Sequence, residues 1–108
     1  MSTPLDATQI TAALATLPGW TAVGTAIQRQ YAAGSFADAV ALLTRLAFEA
    51  ESVDHHPDFV LEYRRLTVRF WTHTAGGVTQ KDIDAAGAAD RLAAPFIVIE
   101  KKARRRAC

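Results

Sequence analysis

The stretch ESVDHHPDF sets Glu51 and Asp54 around an adjacent pair, His55 and His56, and the third and last histidine of the chain is His73. An imidazole with its ordinary pKa of about 6.5 gives and takes protons near neutral pH, and a nearby carboxylate can orient it and hold its tautomer. Three readings compete for such a set. A zinc site needs three or four His, Cys or carboxylate ligands, and His55, His56 and His73 meet that count. Yet no HExxH or CxxC spacing accompanies them, and adjacent histidines are awkward donors to one ion, so no metal is expected. Taken singly, each histidine reads as a surface or capping residue. Taken with Glu51 and Asp54, the set reads as a candidate general acid–base site.

The elements that hold this set come from a chain whose composition is that of a soluble globular protein. Of 108 residues, 50% are apolar and 21% charged, and a chain of this size buries roughly two thirds of its unfolded surface around one core. A single domain over residues 1–100 is expected. Cys108 is the only cysteine and the last residue, so packing alone must hold the fold. The start MSTPLDATQI lacks the basic and apolar runs of a leader, and nowhere are there the ~18 to 20 consecutive apolar residues of a membrane span. A cytoplasmic protein without a membrane partner is expected. The tail 101–108 collects Lys101, Lys102, Arg104, Arg105 and Arg106 and leaves the body net acidic. Without interleaved aromatics it reads as a disordered end rather than a nucleic-acid arm.

Asp6 and Gln9 stand as a capping box with Leu5 and Ile10 as staple, and Ile10, Ala13, Leu14 and Leu17 predict a first helix running to about Leu17. WTAVGTAIQRQY predicts two short strands around Gly24. Ser35 and Asp38 repeat the capping pattern. Phe36, Ala39, Val40, Leu43, Leu46, Ala47 and Ala50 form the apolar stripe of a second helix, which ends between Glu51 and Asp54 because Pro57 pushes His56 toward extended geometry. FVLEY and RLTVRFWTH predict strands three and four, with Leu66, Val68 and Phe70 on the buried side and His73 on the side of Trp71. Thr79 and Asp82, with Val78 and Ile83, open a third helix. FIVIE reads as a short extended segment. The resulting order α-β-β-α-β-β-α predicts an α+β fold, a four-stranded antiparallel sheet with helices on one face.

Adjacent residues in extended backbone point to opposite sides, so His55 and His56 share a pocket only if the chain turns between them. An antiparallel pairing of strands three and four returns His73 to the beginning of strand three. All three imidazoles are therefore expected near one end of the sheet.

The string Glu51-x3-His55-His56-Pro57-x5-Tyr63-x9-His73-x8-Asp82 resembles the signature of the pterin-4a-carbinolamine dehydratases. The likeness extends to Gly19-Trp20, to LLTRLAFEAE before the histidines and to THTAGGVTQKD after strand four, covering roughly residues 5–94; it leaves the basic tail unexplained. The resemblance implies dehydration of 4a-hydroxytetrahydropterin to quinonoid dihydropterin, with no cofactor. It also implies a catalytic set of His55, His56 and His73. In that assignment His55 and His73 are acids toward the leaving hydroxyl, and His56 positions substrate and acts as base. Asp54, Trp71, Thr72, His73 and Thr74 match segments that hold the pterin ring. Glu51, Pro57 and Asp82 take supporting roles, Asp82 having the capping box as its plainer explanation, and Tyr63 reads equally as core or site. Resemblance further implies a homodimer or homotetramer. The alternative is a non-catalytic protein-binding module, a transcription-factor dimerisation cofactor or a Rubisco-type assembly factor, using the sheet face or the basic tail. The complete histidine set with its acidic neighbours favours the enzyme.

Overall fold

A computed structural model describes residues 3–98. The elements follow the order α1 (Ala7–Leu14), β1 (Thr21–Val23), β2 (Ala26–Ala32), α2 (Phe36–Val53), β3 (Asp58–Glu62), β4 (Arg65–Phe70) and α3 (Gln80–Ala93). The four strands form one antiparallel sheet in the order β1-β2-β4-β3, so the α+β architecture is the one expected.

Each helix starts where its cap dictates. Asp6 and Gln9 make a reciprocal capping box, and so do Thr79 and Asp82. Ser35 accepts a hydrogen bond from the Asp38 backbone N–H without a return bond. Helix α1 stops at Leu14, short of the expected Leu17. There the chain tightens into bonds from Thr16 N–H to the Ala13 carbonyl and from Leu17 N–H to the Leu14 carbonyl, because Pro18 disfavours helical geometry at the residue before it.

One sheet face carries the core. Ile27, Tyr31, Leu66, Val68 and Phe70 are buried against Leu42 and Leu46 of α2 and Ala86, Ala89 and Ala93 of α3. The stripe of α2 that faces the sheet is Ala39, Leu42, Leu46 and Ala50, and Phe36 and Val40 of the expected stripe lie exposed. Helix α2 carries more apolar residues than the core takes up, so the buried stripe is rotated from the expected one. The other sheet face is polar, with hydrogen bonds from Gln30 to Thr67 and from Arg69 to Gln28. After α3 the chain bends back, and Ile97 bridges Ala33 beside the end of β2. Val98 N–H bonds to the Ala32 carbonyl there; Ile99 and Glu100 of FIVIE and the basic tail lie outside the described residues. Among the described residues no helix is long and apolar enough to cross a membrane.

Candidate active site

The register Asp58↔Arg69 sets the beginning of β3 beside the end of β4. The exit of α2, the end of β4 and the start of α3 consequently meet at one end of the sheet, and two local devices place the side chains there. At the α2 exit, Asp54 adopts the left-handed region (φ 53), which Asp tolerates better than most residues. Its N–H bonds back to the Ala50 and Glu51 carbonyls, and the His55 N–H bonds to the Ala50 carbonyl, closing the helix in a Schellman-type turn. This turn separates the two histidines. His55 swings inward, its side chain 13% exposed, and His56 stays out on Glu51, at 2.5 Å.

The second device is the loop after β4. Thr72 and Gly77 bridge each other, with the Ala75 and Gly76 N–H groups on the Thr72 carbonyl. Gly76 supplies the positive φ of 72° that this tight return requires. The loop presses Thr72 onto the first turn of α3.

Asp82 lies at the centre and is completely buried. Its Oδ1 is 2.6 Å from His55 Nε2, and its Oδ2 accepts from the Thr72 hydroxyl and the Thr79 backbone N–H, both at 2.8 Å. Thr72 and Thr79 hydroxyls are themselves 2.8 Å apart. The Phe70 ring lies nearly parallel to the His55 imidazole, 6.0 Å between centroids and 8° between planes. A carboxylate only accepts, so the neutral imidazole carries its hydrogen on Nε2. Nδ1 is left free to take a proton and, once protonated, to give it back.

The other expected residues arrange themselves around this centre without joining it. His73 is exposed and stacks on Trp71 at 3.9 Å; Thr74 is exposed on the same loop, and Pro57 leads from His56 into β3. Among the described residues no hydrogen bond or ring contact joins one imidazole to another. The Thr72 hydroxyl is taken up by Asp82 and Thr79. Tyr63 is not part of the core: it is 73% exposed at the β3–β4 turn, at the opposite end of β4 from Phe70.

A cavity of about 320 Å³ opens between α2 and α3, with His55 and Phe70 in its wall, Leu46, Ala50 and Ala89 among its apolar lining, and Glu49, Lys81 and Asp84 as its charged residues. Asp54, His56, Trp71, Thr72, His73 and Thr74 do not line it. Sequence reasoning missed this cavity, Phe70 and Thr79. The small residues Ala85, Ala88 and Ala89 along α3 are the one signal of open space beside α2. Among the described residues no group of three or more His, Cys, Asp or Glu side chains is placed to hold a metal ion.

A family model described as pterin 4 alpha carbinolamine dehydratase matches residues 3–92. A protein of Picosynechococcus sp., provisionally named a pterin-4-alpha-carbinolamine dehydratase, is 44% identical over 92 residues, 85% of this chain and all of that one. A Nocardia farcinica protein with the same provisional name is 47% identical over 85 residues, 79% of this chain and 90% of that one. The crystal structure of a Brucella melitensis protein described as a transcriptional coactivator/pterin dehydratase superposes with a TM-score of 0.80 at 34% identity, covering 83% of this chain and 98% of that one. With sequence and fold in agreement over nearly the whole described length, the chain belongs to the pterin-4-alpha-carbinolamine dehydratase family.

Proposed function

We propose that this protein dehydrates 4a-hydroxytetrahydropterin to quinonoid dihydropterin by histidine acid–base catalysis, in the cytoplasm, serving tetrahydrobiopterin recycling by aromatic amino acid hydroxylases. In this reaction the C4a–O bond breaks as the N5 electron pair forms the C4a=N5 bond. One proton must reach the departing hydroxyl, which leaves as water, and one must leave N5. The two transfers balance, so the protein only has to lend a proton and recover it. Positioned groups with a pKa near ambient pH do this well, contributing about 10² to 10⁴ in rate.

The observation that carries the reading is the buried Asp82 holding His55 by Nε2, with Nδ1 left over for proton transfer. His56 on Glu51 and His73 on Trp71 flank that centre, His73 as a further acid and His56 as positioning group and base, with Asp54 and the 71–74 segment against the pterin ring. Stopped-flow absorbance of chemically generated 4a-hydroxytetrahydropterin tests this. Wild type should accelerate the decay, and His55→Ala should lose about 10²-fold or more of that acceleration with its circular dichroism intact. No acceleration by wild type would sink the enzyme reading.

We also propose a homo-oligomer. Phe36, Val40 and Phe48 of α2 are exposed, as are Val23 and Val60 on the two edge strands, and apolar patches and unpaired edges of this kind are usually covered. Sedimentation as a monomer at micromolar concentration would exclude it. The same α2 surface supports a protein-binding role beside catalysis, in line with the coactivator description of the Brucella melitensis protein.

A further inference from the structure

The three helices among the described residues carry N-caps, and one cap does more than capping requires. A cap needs its side-chain oxygen only as an acceptor for a backbone N–H of the first turn. Ser35 does that alone for α2, accepting from Asp38 N–H at 3.0 Å. Thr79 does it for α3, accepting from Lys81 N–H at 3.2 Å, and its hydroxyl also meets Thr72.

The direction of that second bond follows from the hydrogens available. The single hydroxyl hydrogen of Thr72 goes to Asp82 Oδ2. Thr79 must therefore be the donor to Thr72, and its own oxygen accepts from Lys81. The sequence of donors is Thr79 to Thr72, Thr72 to Asp82, with the Thr79 N–H on the same Oδ2. Two donors from different elements pin Oδ2, which sets the plane of the carboxylate and aims Oδ1 at His55. Thr72 is 5% exposed, Thr79 1% and Asp82 0%, so water has no ready access to replace a lost hydroxyl, and an unpaired acceptor there is unfavourable.

We infer that Thr79 is a positioning residue for His55: through Thr72 it fixes the Asp82 carboxylate, and through Asp82 the Nε2–H tautomer that leaves Nδ1 free. The kinetic consequence rests on the dehydratase reading; the tautomer does not.

The test is long-range ¹H–¹⁵N correlation of the imidazoles at about pH 8.5, above the ordinary histidine range, with steady-state dehydration kinetics alongside. Wild type should show His55 as a single Nε2–H tautomer, with His56 and His73 as internal references. Thr79→Val should give a mixture of Nδ1–H and Nε2–H forms and lower kcat about tenfold, KM staying within about twofold, as small misplacements of a proton-transfer group do. Thr79→Ser should restore both readouts. Ser35→Ala removes a comparable cap elsewhere and should move neither. If Thr79→Val does not fold, Thr72→Val breaks the same relay without touching the cap. A single Nε2–H tautomer in the relay variant, or an equal change in Ser35→Ala, overturns the inference. A tautomer shift in the relay variant, with wild type itself showing no dehydratase activity, refutes the enzyme reading and leaves the relay standing.

Discussion

Of the three aspartates on helix α3, Asp82 and Asp90 are each gripped by three donors, and they serve different parts of the molecule. Asp82, in the first turn, is wholly buried and spreads its donors over both oxygens: His55 on one, Thr72 and the Thr79 N–H on the other. Asp90, two turns on, is a quarter exposed and gathers Trp20 Nε1, Arg29 Nη1 and the Tyr31 hydroxyl on Oδ1 at 3.0, 2.9 and 2.6 Å. The partners decide what each does. An arginine stays charged at any pH the fold experiences and an indole N–H does not exchange roles. Asp90 is therefore a clamp: it explains a guanidinium on the core side of β2, between Ile27 and Tyr31, and ties β2 and the β1 approach to α3. Asp82 grips the one kind of side chain that changes protonation near neutral pH, beside a cavity. Equal hydrogen-bond counts thus produce a structural joint in one place and a candidate proton-transfer centre in the other.

Exchanging each aspartate for asparagine should separate the two roles. Asp82→Asn keeps the volume and loses the charge and the fixed acceptor pattern, and should lower kcat about 10²-fold through misorientation of His55. Asp90→Asn should instead destabilise the fold by about 2 kcal/mol, a value that reflects hydrogen bonds to a charged group discounted for the partial exposure of the Arg29 pair, and leave kcat within about twofold below the unfolding transition. Chemical denaturation and kinetics on both variants check this. Trp20 lies 5.9 Å from Phe70, and Phe70 lies 6.0 Å from His55. If Asp90→Asn lowers kcat as much as Asp82→Asn while folded, that aromatic path carries the clamp into the site and the division fails.

The same contrast separates what was legible in the sequence from what was not. Capping boxes at Asp6/Gln9 and Thr79/Asp82 are local and were readable, as was the alternation of Leu66, Val68 and Phe70 that sets the buried face of β4. On α2, periodicity located the helix but chose the wrong edge of a broad apolar surface, because Phe36 and Val40 are as apolar as Leu42 and only the sheet decides between them. The histidine pair announced itself, yet which ring turns inward depends on the left-handed Asp54. The Thr79 to Thr72 bond depends on the 72–77 loop folding back at Gly76, and the Arg29 to Asp90 bond joins residues far apart in the chain; no spacing rule exposes either.

The mildest test of the comparison is alkaline. Burial first, and then the hydrogen bond to Asp90, push the Tyr31 phenol upward from its ordinary value. The unfolded chain therefore releases this proton at about pH 10 while the folded chain keeps it, so the stabilisation is complete below that pH and declines above it, by about 1.4 kcal/mol per pH unit. Tyr31→Phe removes both the bond and the titration. At pH 8 it should be less stable than wild type by about 1.5 kcal/mol, and the gap should close near pH 11 in denaturation curves of the two proteins. A gap that stays constant would mean that the phenol ionises in place, and that the Asp90 joint opens to solvent instead of acting as a closed clamp.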